Sequence, residues 1–328
     1  MLNGSTVRPI AGVEDAFGVR AVALRTLQRE LATLYLDTAY QEVIPPLVER
    51  PQSLARGSGR FLSEQTIVFS DPAGAGQLAL RPDITPQVAR LAATRLHHAE
   101  VLRLHYSGPV LLARAEGESG ARQQWQSGIE LFGVGDLSGD IEVLYLAAQS
   151  MRRGGFSAPV LLVGHIGLLR ALLGEGVELA PWVALLRRRS PEDVAAQIAA
   201  DGIASSAAEV LLAMVRGEVD SDFLQAHCTL NTEFSRAVDD LVQLQQGVEA
   251  RGVKDGAHGC RIVIDGALMP RFLYHSGILF AGYAAGVAYP LLHGGRYDAM
   301  VAAHGRDMAA TGFSCDLWSW IDAGKDGR

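Results

Sequence analysis

Three short stretches of this chain combine residue types that could bind and orient a polar small molecule. The first is Leu80-Arg81-Pro82-Asp83-Ile84-Thr85, where a strand runs into an acidic turn that caps a helix. The second is Arg122–Gly133 (RQQWQSGIELFG), and the third is Gly294-Gly295-Arg296-Tyr297-Asp298, a glycine pair leading into an alternating charged and aromatic run. Read as a strand, Arg122–Gly133 has two unlike faces. Gln123, Trp125, Ser127, Ile129 and Leu131 point one way, and Arg122, Gln124, Gln126, Gly128 and Glu130 the other. An unpaired buried polar group costs roughly 2–7 kcal/mol, so the second face does not belong against an apolar core. It either meets water, as one side of many antiparallel sheets does, or floors a pocket for a polar, partly cationic ligand.

Composition removes several other chemistries. The chain has 328 residues, 48% hydrophobic and 20% charged, which supports a sizeable core. Among its 29 basic residues only Lys254 and Lys325 are lysines, and both lie in polar, loop-like sequence. No Gly-x-x-x-x-Gly-Lys-Ser/Thr stretch exists, which excludes a P-loop, and a Schiff-base lysine could only be one of those two. A net charge of −7 argues against a broad nucleic-acid footprint. Arg187-Arg188-Arg189 is a candidate local patch, although such a run is more often a solvated helix C-terminus. Cys228, Cys260 and Cys315 are too dispersed for a disulfide framework or a zinc pair. His97-His98 reads as a solvated helix terminus and His165 as a residue packed at a strand end. Arg8, Glu14 and Asp15 interrupt the beginning of the chain, so no signal peptide is expected. Phe272–Leu292 lacks charged residues, but His275, Ser276 and three spread tyrosines (Tyr274, Tyr283, Tyr289) favour two strands joined through Gly282–Gly286 over a bilayer span. A cytoplasmic protein is expected.

These stretches need elements to position them. Val19 to about Leu36 is apolar at Val22, Leu24, Leu27, Leu31 and Leu34, as an amphipathic helix is. Tyr40–Ile44 is strand-like, and Pro45-Pro46 confines it to an edge, a bulge or an interface. Thr66–Ser70 and Gln77–Leu80 form a hairpin. Thr85 as hydroxyl cap and Pro86 behind it start a helix running to about Arg95. Val101–Ser107 alternates Leu102, Leu104 and Tyr106 against Arg103, His105 and Ser107, as a half-buried strand does. Helices at Asp140–Arg152 and Ile166–Leu173 flank a buried strand at Pro159–Val163. A wholly helical stretch, about Gly174–Arg251, contains the cap Ser190-Pro191-Glu192. Strands resume at Arg261–Ile264, Tyr274–Ala281 and Gly312–Cys315. This order implies an α+β fold, an antiparallel sheet flanked by helices, with residues 1–173 and 252–328 as core domain and 174–251 as a helical insertion. Trp318 and Trp320 could pack in the core or line a subunit contact.

Four stretches resemble class II aminoacyl-tRNA synthetases, histidyl-tRNA synthetase in particular. AYQEVIPPLVE (Ala39–Glu49) is similar to motif 1, with its dimer-interface proline at Pro46; LALRPDITPQVAR (Leu78–Arg90) follows. YSGPVLLARAEGESGARQQWQSGIELFG (Tyr106–Gly133) is similar to motif 2, and GGRYD with ATGFSCDLWSW (Gly294–Trp320) to motif 3. The likeness covers nearly the whole chain except the helical insertion. It implies a class II synthetase-like fold and a histidine-binding role for seven residues. Asp83 and Thr85 would hold the α-ammonium, while Gln126 and Glu130 would flank the ammonium and the imidazole. Tyr297 would reach the ring. Tyr274 and His275 match the family's paired tyrosines, with His275 a departure.

The nucleotide side departs further. Synthetases of this family use three arginines to hold ATP and neutralise developing charge. The motif 2 arginine falls here on Leu112, with Arg114 two residues out of register. The motif 3 arginine falls on Ser319, and the histidyl-specific one on Pro270, with Arg271 one place off. Asp316 replaces a motif 3 glycine, and little sequence follows that motif, so no anticodon-binding domain is expected. The combination implies the non-catalytic branch of the family, regulatory subunits of ATP phosphoribosyltransferase in histidine biosynthesis. That branch implies a short-form catalytic subunit as partner in a hetero-octamer, and a self-dimer through the motif 1 region. It also implies L-histidine as feedback effector, no tRNA, no membrane, no metal and no cofactor. The alternative is a histidyl-tRNA synthetase-like enzyme that adenylates an amino acid. Whether effector histidine binds the synthetase-like pocket or a subunit interface is left open by these residues.

Overall fold

The computed structural model describes residues 10–57, 59–74, 76–115, 120–254, 259–270 and 274–326. Helix α1 (Gly18–Asp37) buries Leu24, Leu31, Leu34 and Tyr35, but Val22 of the expected apolar stripe is 65% exposed. It leads to the two-residue strand β1 (Gln41–Glu42), then β2 (Val48–Glu49), α2 (Pro51–Ala55) and α3 (Gly59–Gln65). The expected hairpin is β3 (Ile67–Ser70) against β4 (Gln77–Leu80), with Ile67 opposite Leu80. Next come α4 (Thr85–Thr94), β5 (Leu102–Leu111), β6 (Gln123–Phe132), α5 (Leu137–Arg153), β7 (Val160–His165) and α6 (Ile166–Leu173). Residues 174–254 carry helices only: α7 (Leu179–Arg188), α8 (Pro191–Asp201), α9 (Ser205–Arg216), α10 (Ser221–Ala226) and α11 (Thr232–Ala250). The chain then returns through β8 (Arg261–Ile264), β9 (Ile278–Tyr283), β10 (Leu292–Arg296), α12 (Asp298–Ala302), β11 (Ala310–Asp316) and α13 (Leu317–Asp326).

One eight-stranded sheet, ordered β1-β5-β6-β11-β10-β9-β7-β8, carries the fold, and β2-β4-β3 form a smaller one. The large sheet is mixed, not antiparallel throughout as the order of its elements had suggested. Its centre is antiparallel, but β1 pairs β5 and β8 pairs β7 in parallel. A parallel pair needs a long crossover where a hairpin needs a tight turn. The helices α6 to α11 supply that crossover between β7 and β8, so the helical stretch connects the last two strands of the sheet.

Helices cover both faces. One core gathers Tyr35, Ile129, Leu146, Phe280, Phe313 and Trp320; a second gathers Ile84, Val88, Leu104, Tyr106, Phe132 and Tyr297. The half-buried reading of β5 is therefore corrected, because its polar face meets α1 and α5 instead of water. His105 is 2% exposed, with its ring 5.5 Å from that of Tyr35. Arg103 is held by Glu142 at 2.7 Å.

Local signals behave as their chemistry dictates. Asp136 caps α5 by accepting the Ser138 amide at 2.9 Å, and Ser190 accepts that of Asp193 in the first turn of α8. His165 caps α6, its Nδ1 accepting the Gly167 amide at 2.9 Å. Arg187 and Arg188 occupy the last turn of α7, exposed, where cations are favoured. Trp320 is core, its indole donating to the Leu291 carbonyl at 2.6 Å; Trp318 lies partly exposed under the Arg20 guanidinium. Among the described residues no helix is long and apolar enough to cross a membrane, and no group of three His, Cys, Asp or Glu could hold a metal.

Candidate functional site

Gln126 and Glu130 lie four residues apart on β6, so their side chains leave the same face of the sheet. Neighbouring strand β5 places Tyr106 opposite Gly128. A Cβ at Gly128 would strike the Tyr106 ring and the Phe313 carbonyl, so glycine is what lets the tyrosine lie across β6. Gly312 of β11 plays the same part opposite Glu130, where any side chain would overlap the carboxylate.

Glu130 is 1% exposed, and hydroxyls surround it. Thr85 donates to its Oε1 at 2.8 Å, Tyr106 to the same oxygen at 3.1 Å, and Tyr297 to Oε2. Burial pushes its pKa from 4.5 up to about 8, against the pull of the Tyr297 and Thr85 hydroxyls; the nearby Asp83 charge adds to the rise. Burial likewise raises the Tyr297 and Tyr106 phenols. Asp83 and Gln126 form the adjoining layer. Asp83 Oδ1 accepts from Gln126 Nε2 at 2.7 Å and from the Thr85 amide at 3.0 Å, while Gln126 Oε1 accepts from the Ile84 amide at 2.8 Å.

Tyr274 stacks on His275 with ring centroids 4.7 Å apart and meets Tyr297 edge-on at 6.0 Å. His275 in turn packs on the Cα of Gly295, where a Cβ would come within 2.8 Å of its ring. All seven residues nominated from the sequence thus fall in one connected cluster built from the start of α4, β6, the segment before β9, and the β10–α12 turn.

Three details differ from expectation. Thr85 does not cap α4 with its hydroxyl, which instead bonds Glu130; the Asp83 carboxylate meets the free Thr85 amide. A buried carboxylate is a stronger acceptor than the neighbouring backbone alternatives, so the hydroxyl goes there. Tyr106 belongs to the cluster, although its alternation had marked it only as a buried strand residue. Its one sequence signal is its place on the same face as Leu104, across from a glycine. Arg81, inside the first nominated stretch, serves elsewhere. It donates to the carbonyls of Pro45 at 2.7 Å and Pro109 at 3.0 Å, and Gln87 donates to that of Pro46 at 2.8 Å, fixing the double-proline segment. Arg296 is also structural, paired with buried Asp140 at 2.6 Å.

At and beside the positions where the family's arginines were expected, Leu112 is 4% exposed, Arg114 is exposed, and Pro270 is buried. Arg271 lies outside the described residues. Ser319 donates to Asp316 at 2.6 Å, and Asp316 also accepts the amides of Trp125 at 2.9 Å and Trp318 at 3.2 Å. Asp316 is therefore both the cap of α13 and a latch to β6, its charge spent on backbone and hydroxyl donors.

A mixed sheet with helices on both faces and a carboxylate–hydroxyl cluster on its floor defines a class II aminoacyl-tRNA synthetase-type domain. Residues 12–319 match the family model described as histidyl-tRNA synthetase. A protein of Bacillus halodurans solved as an ATP phosphoribosyltransferase regulatory subunit/histidyl-tRNA synthetase superposes with a TM-score of 0.84 at 24% identity, over 98% of this chain and 84% of its own. The relative in Chromohalobacter salexigens is 35% identical over 93% of this chain and 79% of its own length. That in Thiobacillus denitrificans is 33% identical over 95% of this chain and 96% of its own. Both carry the name ATP phosphoribosyltransferase regulatory subunit. The chain belongs to the histidyl-tRNA synthetase family, on the branch of the ATP phosphoribosyltransferase regulatory subunits.

Proposed function

We propose that this chain is a non-catalytic subunit that senses L-histidine through the Glu130 cluster and regulates a short-form ATP phosphoribosyltransferase in histidine biosynthesis. One contrast carries the reading. The side that would meet an amino acid keeps two buried carboxylates, Asp83 and Glu130, with Thr85, Gln126, Tyr274, His275 and Tyr297 around them. At the nucleotide side, the three arginine positions hold Leu112, Ser319 and Pro270. Such a site suits a cationic amino acid and offers little to a triphosphate.

The rest of the proposal follows from that role. A catalytic partner is needed for any output, and a self-dimer through the motif 1 region fits the open β1 edge, where Ile44 is 83% and Leu47 45% exposed. Residues 174–251 act as an insertion on the core formed by 1–173 and 252–328. The location is cytoplasmic, without tRNA or membrane as partner. Feedback is a coupling free energy between the histidine pocket and the catalytic subunit's active state, typically ~1–3 kcal/mol. Adding this chain to the purified short catalytic subunit should raise its ATP phosphoribosyltransferase rate, and L-histidine should lower that raised rate. An unchanged rate on addition refutes the proposal.

The titration of Glu130 makes a separate prediction. Its pKa of about 8 leaves it largely protonated at pH 7. A cationic ligand favours the carboxylate, so binding expels the proton. L-Histidine affinity should therefore rise as pH goes from about 6.5 to 8, the range over which Glu130 ionises while the ligand keeps its α-ammonium. Calorimetry at pH 7 in two buffers of different ionisation enthalpy should register net proton release, which should be lost in Glu130→Gln.

A further inference from the structure

The large sheet has two open edges, and the second lies far from β1. Strand β8 is the last in the order. The Arg261 amide donates to the Pro159 carbonyl at 2.9 Å and that of Asp265 to Val163 at 2.8 Å, so residues 261, 263 and 265 face β7. The main-chain N–H and C=O groups of Ile262 and Ile264 consequently point the other way. That side opens onto a cleft of about 640 Å³ between β8 and the α9–α10 connection, Gly217–Ser221. The volume falls in the ~300–1,000 Å³ range of pockets that hold drug-sized ligands, enough for a few residues of extended chain.

The cleft has a distinct chemistry. Met214, Val219, Ile262 and Ile264 form an apolar floor. Glu218, Asp220 and Asp265 stand around it against a single guanidinium, Arg189, which is ion-paired to Asp265. Arg189 adopts a left-handed backbone (φ 52°) at the end of α7, and its pairing ties the helical stretch to the end of β8 across the cleft. The remaining charge is negative, at Glu218 and Asp220, both exposed.

We propose that β8 receives an extended, basic segment of the catalytic partner as an added strand, an inference that rests on the regulatory reading above. The outward main-chain groups of Ile262 and Ile264 supply the hydrogen bonds. Alternate side chains of the added strand meet the apolar floor, and Glu218 and Asp220 select a basic residue among them. A second copy of this chain is the poorer occupant. Its own β8 edge would bring the same carboxylates against these, whereas the β1 edge already offers an apolar surface for self-association. Strand addition at β8 also places the partner beside the helices α9 and α11, on the opposite end of the sheet from β1.

The test titrates purified short-form catalytic subunit onto the full chain by calorimetry, using wild type, Glu218→Arg and Ile262→Pro. The proline removes an outward N–H while leaving the β7 ladder intact. Glu218 is exposed, so its reversal tests the edge even if the proline variant folds poorly. Glu218→Arg should weaken association at least about tenfold and Ile262→Pro should abolish it, with L-histidine affinity and melting temperature of Glu218→Arg unchanged. Wild-type association that survives both substitutions at full strength overturns the β8 assignment alone. A change in self-association with catalytic-subunit affinity unchanged assigns the edge to a second copy and likewise overturns it. Failure of the wild-type chain to bind the catalytic subunit at all overturns the regulatory reading, and this inference with it.

Discussion

Replacing Glu130 by glutamine should weaken L-histidine binding by about 30- to 150-fold, the equivalent of ~2–3 kcal/mol for losing one member of a buried charge pair. Glutamine keeps the shape and one acceptor for the Thr85, Tyr106 and Tyr297 hydroxyls, so the loss reports charge more than packing. Stability should move in the opposite sense. The folded-state pKa of about 8 lies above the ordinary 4.5, so the folded chain holds a proton that the unfolded chain has released. This contribution is therefore fully present below about pH 4.5 and is lost as pH rises toward 8. Glu130→Gln removes that slope, and urea unfolding at pH 6 and pH 8 should show a smaller difference for the variant than for wild type. Calorimetric titration at pH 8 measures the affinity. Undiminished binding by Glu130→Gln would place effector histidine elsewhere, such as at a subunit interface.

The second large effect concerns catalysis. Each lost transition-state donor typically costs roughly 10²–10³-fold in rate, so absence of the three ATP-holding arginines should leave no measurable histidine-dependent ATP–pyrophosphate exchange. Leu112→Arg alone should not restore it. Ser319→Arg should not either, because the new guanidinium would stand beside Asp316, which now holds the Ser319 hydroxyl and the first amides of α13. Robust exchange by the wild-type chain, measured with labelled pyrophosphate, would favour the adenylating-enzyme reading.

Part of the Glu130 cluster could be read from the chain because strand periodicity is a local property. Gln126 and Glu130 share a face in any strand, and Ser190 with Pro191 marks a helix start wherever it occurs. Several assignments failed where a residue had two partners to choose from. Thr85 had the composition of a cap, but an acceptor 45 positions away won its proton. Arg81 stood among the pocket residues in sequence, yet three proline carbonyls lie within its reach. Val22 fitted an apolar stripe whose buried members proved to be Leu24, Leu31, Leu34 and Tyr35.

Residue order and type were enough to put Gln126 and Glu130 on one strand face and to mark the helical stretch, since each depends on neighbours a few positions apart. The other members of the cluster and the arginine positions were implied by the family resemblance. Strand order, the parallel edges, the Tyr106 contribution and the proton affinity of Glu130 emerged only in three dimensions. They depend on which of β5, β6, β10 and β11 lie side by side and in what register. Pairing between distant segments is set by the packing of the whole chain, and no local pattern encodes it.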